Sequence, residues 1–203
     1  MYYLRQLTVN VFSIHNVKTG EGYFFIYHEG LAKKGSNEVC SFILTYLREE
    51  VAINIDELYL YSDNAAGQNK NHSMVCFLMS LVDTGRMSKV VYRLPMRGHS
   101  FLPNDRDFGI VKRRLNKVDR YYTVRDVMEI IANANNKFRV RLVKTEEILD
   151  FQTWCPTVYK KSPVSEESHV GRKNATKGKR EVFAISSYHE FIWKKERKGC
   201  VQA

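Results

Sequence analysis

The sequence predicts an α/β domain built on a mixed sheet flanked by helices, and three observations lead there. Residues 7–14 (Leu-Thr-Val-Asn-Val-Phe-Ser-Ile) alternate apolar and polar side chains, the period of a strand with one buried face. From Val39 the apolar residues Phe42, Ile43, Tyr46 and Leu47 follow helical spacing, giving a stripe that faces a core. Two further apolar runs, 58–61 and 89–95, are separated by a helical pattern, as where strands and crossover helices succeed one another. With 203 residues, 44% hydrophobic and 12% aromatic, the chain has enough apolar surface for one main core, and disorder is not the default expectation.

Taken in order, the first strand at 7–14 turns through residues 16–22, which hold Gly20 and Gly22, and returns as 23–27 (Tyr-Phe-Phe-Ile-Tyr) to make an antiparallel hairpin. Ser36 is the expected N-cap of the helix that carries Val39. The run Leu58-Tyr59-Leu60-Tyr61 reads as a buried strand that delivers Asp63 at its C-terminal tip. Residues 72–81 are too apolar for a surface element and predict a buried helix stopped near Gly85. A strand at 89–95 feeds Gly98 and His99, and a helix follows on Phe108, Val111 and Leu115, with Asn104 as its expected N-cap after Pro103. Beyond it come an amphipathic helix capped by Thr123, a strand at 138–143, a short helix from Thr145 through Phe151 and a short strand at 182–185. The expected division is a core domain at 1–120 and a small C-terminal α+β region at 121–203, with a polar, basic loop at 162–180.

The formal net charge of +10 points toward a polyanionic partner, since Lys and Arg gain affinity for phosphates by counterion release. Cys40, Cys76, Cys155 and Cys200 form no C-x-x-C pair, which speaks for reduced thiols and against a zinc site built from them. No apolar stretch approaches a membrane span and the N-terminal residues show no signal-peptide core, so an intracellular protein is expected.

Chemistry-bearing residues gather in two stretches. Residues 98–108 (Gly-His-Ser-Phe-Leu-Pro-Asn-Asp-Arg-Asp-Phe) bring His99, Asp105 and Asp107 to a helix entrance; residues 62–71 (Ser-Asp-Asn-Ala-Ala-Gly-Gln-Asn-Lys-Asn) follow a strand tip. Acids in a first helical turn also serve as caps, so that role stands beside the chemical one. An Asp at a strand tip is placed to hold a metal ion, and carboxylates from two elements suit two-metal phosphoryl transfer. Gln68, Asn69 and Lys70 carry donors for a nucleic-acid backbone, or cap the next helix; His99 can shuttle a proton, orient a carboxylate or simply pack.

Tyr-Ser-Asp-Asn-x-x-Gly-Gln-Asn-Lys-Asn together with Gly-His-Ser-x-Leu-Pro-x-Asp-Arg-Asp-Phe is similar to a transposon-derived family of unknown function, abundant in arthropod genomes. The order of elements also resembles the ribonuclease H fold of transposases and integrases. That resemblance implies a metal-dependent phosphodiester-cleaving ancestor of the DDE type. Its Mg²⁺ or Mn²⁺ ligands here would be Asp63, Asp107 and Glu38 or Glu29, with Asp105 and His99 as further catalytic candidates. It implies DNA as the partner and a nuclear location; the expected phosphate contacts, by their donors and charge, are Gln68, Asn69, Lys70, Arg97 and Arg106. The same resemblance calls for a first central strand carrying an Asp ahead of the hairpin. The first Asp of this sequence is Asp56, so the expectation is a ribonuclease H-like fold without that strand, an incomplete site and residual nucleic-acid affinity. The alternatives are a non-catalytic host protein using the scaffold for protein or RNA contacts, and an active metal-dependent nuclease.

Overall fold

A computed structural model describes residues 7–96, 101–160 and 183–203. In chain order its main elements are β1 (Val9–Asn16), β2 (Glu21–His28), α1 (Ser36–Glu49), β3 (Glu57–Tyr61), α2 (His72–Asp83), β4 (Lys89–Arg93), α3 (Pro103–Leu115), α4 (Val124–Ala132), β5 (Phe138–Leu142), α5 (Phe151–Val158) and β6 (Glu190–Lys194).

The hairpin forms as the alternation predicts, with β1 antiparallel to β2. Its turn is fixed by Asn16, whose side-chain oxygen accepts the backbone N–H groups of Lys18 and Thr19, and by Gly20 at φ 71°, where a side chain would be strained. β5 lies parallel to β2 on its other side, so β2 is the middle strand of a three-stranded sheet. That explains its unbroken apolar run: Phe25 and Tyr27 pack in the core with α1, while Phe24 and Ile26 pack with Val111 of α3 and with Val127 and Ile131 of α4.

β3, β4 and β6 make a second sheet, β3 parallel and β6 antiparallel to β4. Leu58, Leu60, Val90, Tyr92, Phe191 and Trp193 turn inward to the larger core, which they share with α1 and α2. The expectation of one mixed sheet holding both the hairpin and the Asp63 strand is thereby corrected. β1 and β3 each have a hydrogen-bonded neighbour on one side only, and no described strand bridges them. The chain is a mixed α/β structure with two small sheets.

Local corrections have equally local causes. The N-cap of α1 is Gly35 and not Ser36, because the Glu38 carboxylate folds back onto the N–H groups of Lys33 (2.9 Å) and Gly35 (3.0 Å). Leu102 caps α3, with Pro103 in the first turn where its missing N–H costs nothing; Asn104 instead reaches Ser13 of β1. Residues 145–151 do not form one helix: Thr145–Glu147 is a 3-10 turn and α5 starts at Phe151, capped by Asp150. Of the strand expected at 182–185, the described part enters the 3-10 turn Ile185–Ser187, and the strand of this region is β6. Cys40, Cys76 and Cys155 stand as free thiols.

Candidate functional site

The loop after β3 is closed on itself. Asp63 is exposed at the strand tip, and its Oδ1 accepts the Ala65 N–H (3.2 Å) and the Asn69 amide (2.6 Å). Asn69 is buried, and its carbonyl accepts the Tyr92 hydroxyl at 2.9 Å. Burial pushes that hydroxyl well above its usual titration range, and it remains a neutral donor. The Ala65 carbonyl gathers the N–H groups of Gln68, Asn69 and Lys70, and Asn71 caps α2 through the Met74 N–H. Lys70 directs its ammonium to the Ser186 carbonyl (2.9 Å). Gln68 is half-buried in the same loop. Asn69 and Asn71 thus hold the loop's shape.

On α3 the two acids part ways. Asp105 is exposed and accepts the Leu102 N–H at 3.0 Å, a capping contact. Asp107 is 3% exposed, and its Oδ2 lies 2.6 Å from Nδ1 of His15 on β1. Gly22 stands beside this pair: a Cβ there would sit 3.1 Å from Asp107 Oδ2 and equally close to Phe24 and Phe138. His15 escapes a motif search because its partner lies 92 residues away. One signal for it exists. Val9 and Val11 pack toward α3, and Ser13 and His15 continue the same strand face with polar groups, which demands partners across the interface.

Glu38 spends both oxygens on the α1 cap, and Glu29 accepts the Thr8 N–H at 3.3 Å. His99 and Arg97 lie outside the described residues. Among the described residues, no group of three or more His, Cys, Asp or Glu side chains is gathered closely enough to hold a metal ion. The donor set on view does not fit a two-ion centre, since Glu38 and Asp105 are engaged as caps and Asp107 by His15.

What the surface does offer is positive charge on α3. Only Asp107 and Val111 of this helix are buried, while Arg106, Lys112, Arg113 and Arg114 are all exposed. The basic cluster at its C-terminal end also suits the helix dipole.

Residues 3–190 match the family described as Domain of unknown function (DUF7869). The chain belongs to that family. The match spans the hairpin, the Asp63 loop, α3 and all of the second sheet up to the first residue of β6. Neither the curated proteins nor the solved structures contain a match to the chain. No helix among the described residues is long and apolar enough to cross a membrane.

Proposed function

We propose that this family member is a nucleic-acid-binding domain of transposon-derived, ribonuclease H-like ancestry, which holds DNA by charge and has an incomplete set of catalytic acids. The observation that carries the reading is α3, a helix with two buried residues and four exposed basic ones in a chain of net charge +10. Exposed guanidinium and ammonium groups on a rigid element, with Arg106 and Arg113 seven residues apart on one face, suit phosphates, and the affinity they give is sequence-independent and salt-sensitive. The dispersed carboxylates support the inactive half of the proposal: Asp63 braces its loop, Glu38 and Asp105 cap helices, and Asp107 is committed to His15. On this reading the protein works in the nucleus, where its partner is.

The test is duplex DNA binding by the full chain and by an Arg106→Glu/Arg113→Glu variant, followed by fluorescence anisotropy across a salt series, with nicking assayed in Mg²⁺ and Mn²⁺. Each phosphate contact removed should lower the slope of log K against log[salt] by about 0.9. Unchanged binding by the variant removes α3 from the account, and metal-dependent nicking abolished by Asp63→Asn refutes the incomplete site. A second reading, a scaffold for protein contacts, has in its favour the outer edge of β3, which no described strand covers.

A further inference from the structure

We propose that the outward face of the second sheet, centred on Tyr59 and Tyr61, is a stacking platform for single-stranded nucleic acid. It rests on the nucleic-acid reading above and deepens it by naming a second contact surface and the strand state it selects.

The face follows from the pleat. Leu58 and Leu60 turn into the core, so Glu57, Tyr59 and Tyr61 turn outward together, alongside Lys89 and Arg93 of β4 and Lys194 of β6. Tyr59 and Tyr61 remain 49% and 48% exposed, two large rings on the same face of one short strand. Both are held in place. Lys89 sits 5.2 Å from the Tyr59 ring centre with its Nζ 2.9 Å from the hydroxyl, and Arg93 sits 5.9 Å from the Tyr61 ring centre with Nη1 3.0 Å from that hydroxyl. The rings are therefore pre-ordered while half of their surface stays open, which removes much of the entropy cost of stacking a ligand on them.

Spacing and charge choose the partner. Residues two apart on a strand are separated by about 6.6 Å, roughly twice the 3.4 Å rise per nucleotide along one strand of B-DNA. Two neighbouring bases reach both rings only when the strand is drawn out and unstacked, and a duplex keeps its base faces covered. Positive charge lies at one end of the face: Lys89 pairs in register with Lys194, and Lys195 and Lys198 are exposed just beyond. Glu57 and Glu190 lie against Lys89 and Arg93, so the net phosphate attraction comes from the Lys194 to Lys198 end, where Glu196 offsets one of the basic charges. Aromatic faces with a basic flank suit a phosphate-linked chain of bases better than an acidic peptide, which would leave the rings unused.

The experiment compares oligothymidylate, oligouridylate and duplex DNA of equal length on the full chain. The proteins are the wild type, Tyr59→Ala/Tyr61→Ala and the ring-preserving Tyr59→Phe/Tyr61→Phe, each checked for a native melting transition. The alanine pair should weaken single-strand binding about tenfold or more, leave duplex binding within about twofold and keep the salt slope, whereas the phenylalanine pair, which keeps the rings and loses only the hydroxyl contacts of Lys89 and Arg93, should weaken single-strand binding by no more than about threefold. Photocrosslinking of wild-type protein to iodouracil-substituted oligonucleotides should label the peptide holding Tyr59 and Tyr61, which needs no variant to fold. The two single-stranded probes separate DNA from RNA. Single-strand binding unaffected by the alanine pair, or crosslinks only elsewhere, overturns the platform; duplex binding without single-strand binding overturns it and leaves α3 standing; binding of neither overturns both.

Discussion

Replacing Asp107 distinguishes a structural carboxylate from a spare catalytic one. Its side chain and that of His15 are 5% and 6% exposed, and the two atoms lie 2.6 Å apart. Asp107→Ala leaves the His15 ring nitrogen buried without its partner, which costs about 1–3 kcal/mol for a neutral group and about 3–5 kcal/mol if a charge is stranded. Taking about 3 kcal/mol, and about 2–4 °C per kcal/mol for a chain of this size, the melting temperature should fall by roughly 6–12 °C. Asp107→Asn keeps the shape and one acceptor and should lose less. Calorimetric melting of the two variants, completed by a double-mutant cycle with His15→Ala, should show a coupling of about 0.5–3 kcal/mol. A functional acid held at the expense of stability behaves in the opposite way. An Asp107→Ala protein as stable as wild type, or more so, with no coupling to His15, refutes the structural role.

Arg86, between α2 and β4, holds the end of α1 and the loop after it by donating to the carbonyls of Leu47, Val51 and Ile55, so Arg86→Lys, which cannot reach all three, should cost about 1–3 kcal/mol in urea unfolding. Gly22→Ala should destabilise by about 1–3 kcal/mol, because Phe24 and Phe138 are buried and Asp107 is pinned by His15; a neutral result shows that the site yields. The carboxyl of Asp126 is held below its usual range by the N–H groups of Tyr122 and Thr123, and that of Asp150 by Thr153 and then Asn37. Carboxyls lowered in the folded state contribute stability that is complete above their unfolded pKa near 3.9 and is lost as pH falls through the folded value. Acid unfolding followed by circular dichroism should therefore set in below about pH 4, with a shallower pH slope in Asp126→Asn; an unchanged slope contradicts this.

Elements with local causes were legible in the sequence, and partnerships were not. α2 announces itself by an unbroken apolar run behind Asn71, α4 by Thr123 and its stripe, and the hairpin by alternation around Gly20. The division into two sheets depends on β5 joining β2 and β6 joining β4, pairings between residues about a hundred positions or more apart that no local pattern encodes. β6 itself is five residues long and follows a basic stretch that draws attention from it. In the candidate site, the acids at strand tip and helix start were visible, and so was their capping alternative. What was hidden is the three-dimensional commitment of each: Asp63 to Asn69, Asp107 to His15, and Asn104 to Ser13 instead of to its own helix. Tyr59 and Tyr61 read as core because a Leu-Tyr-Leu-Tyr run looks buried on both faces, while the strand lies with one face to solvent.

The most direct test of the central claim is the affinity of the purified chain for DNA measured from low to physiological salt. Binding through exposed Lys and Arg predicts a straight, steep fall of log K with log[salt], its slope giving the number of phosphates engaged at about 0.9 per contact. No binding at low salt, or binding that salt leaves unchanged, contradicts the claim.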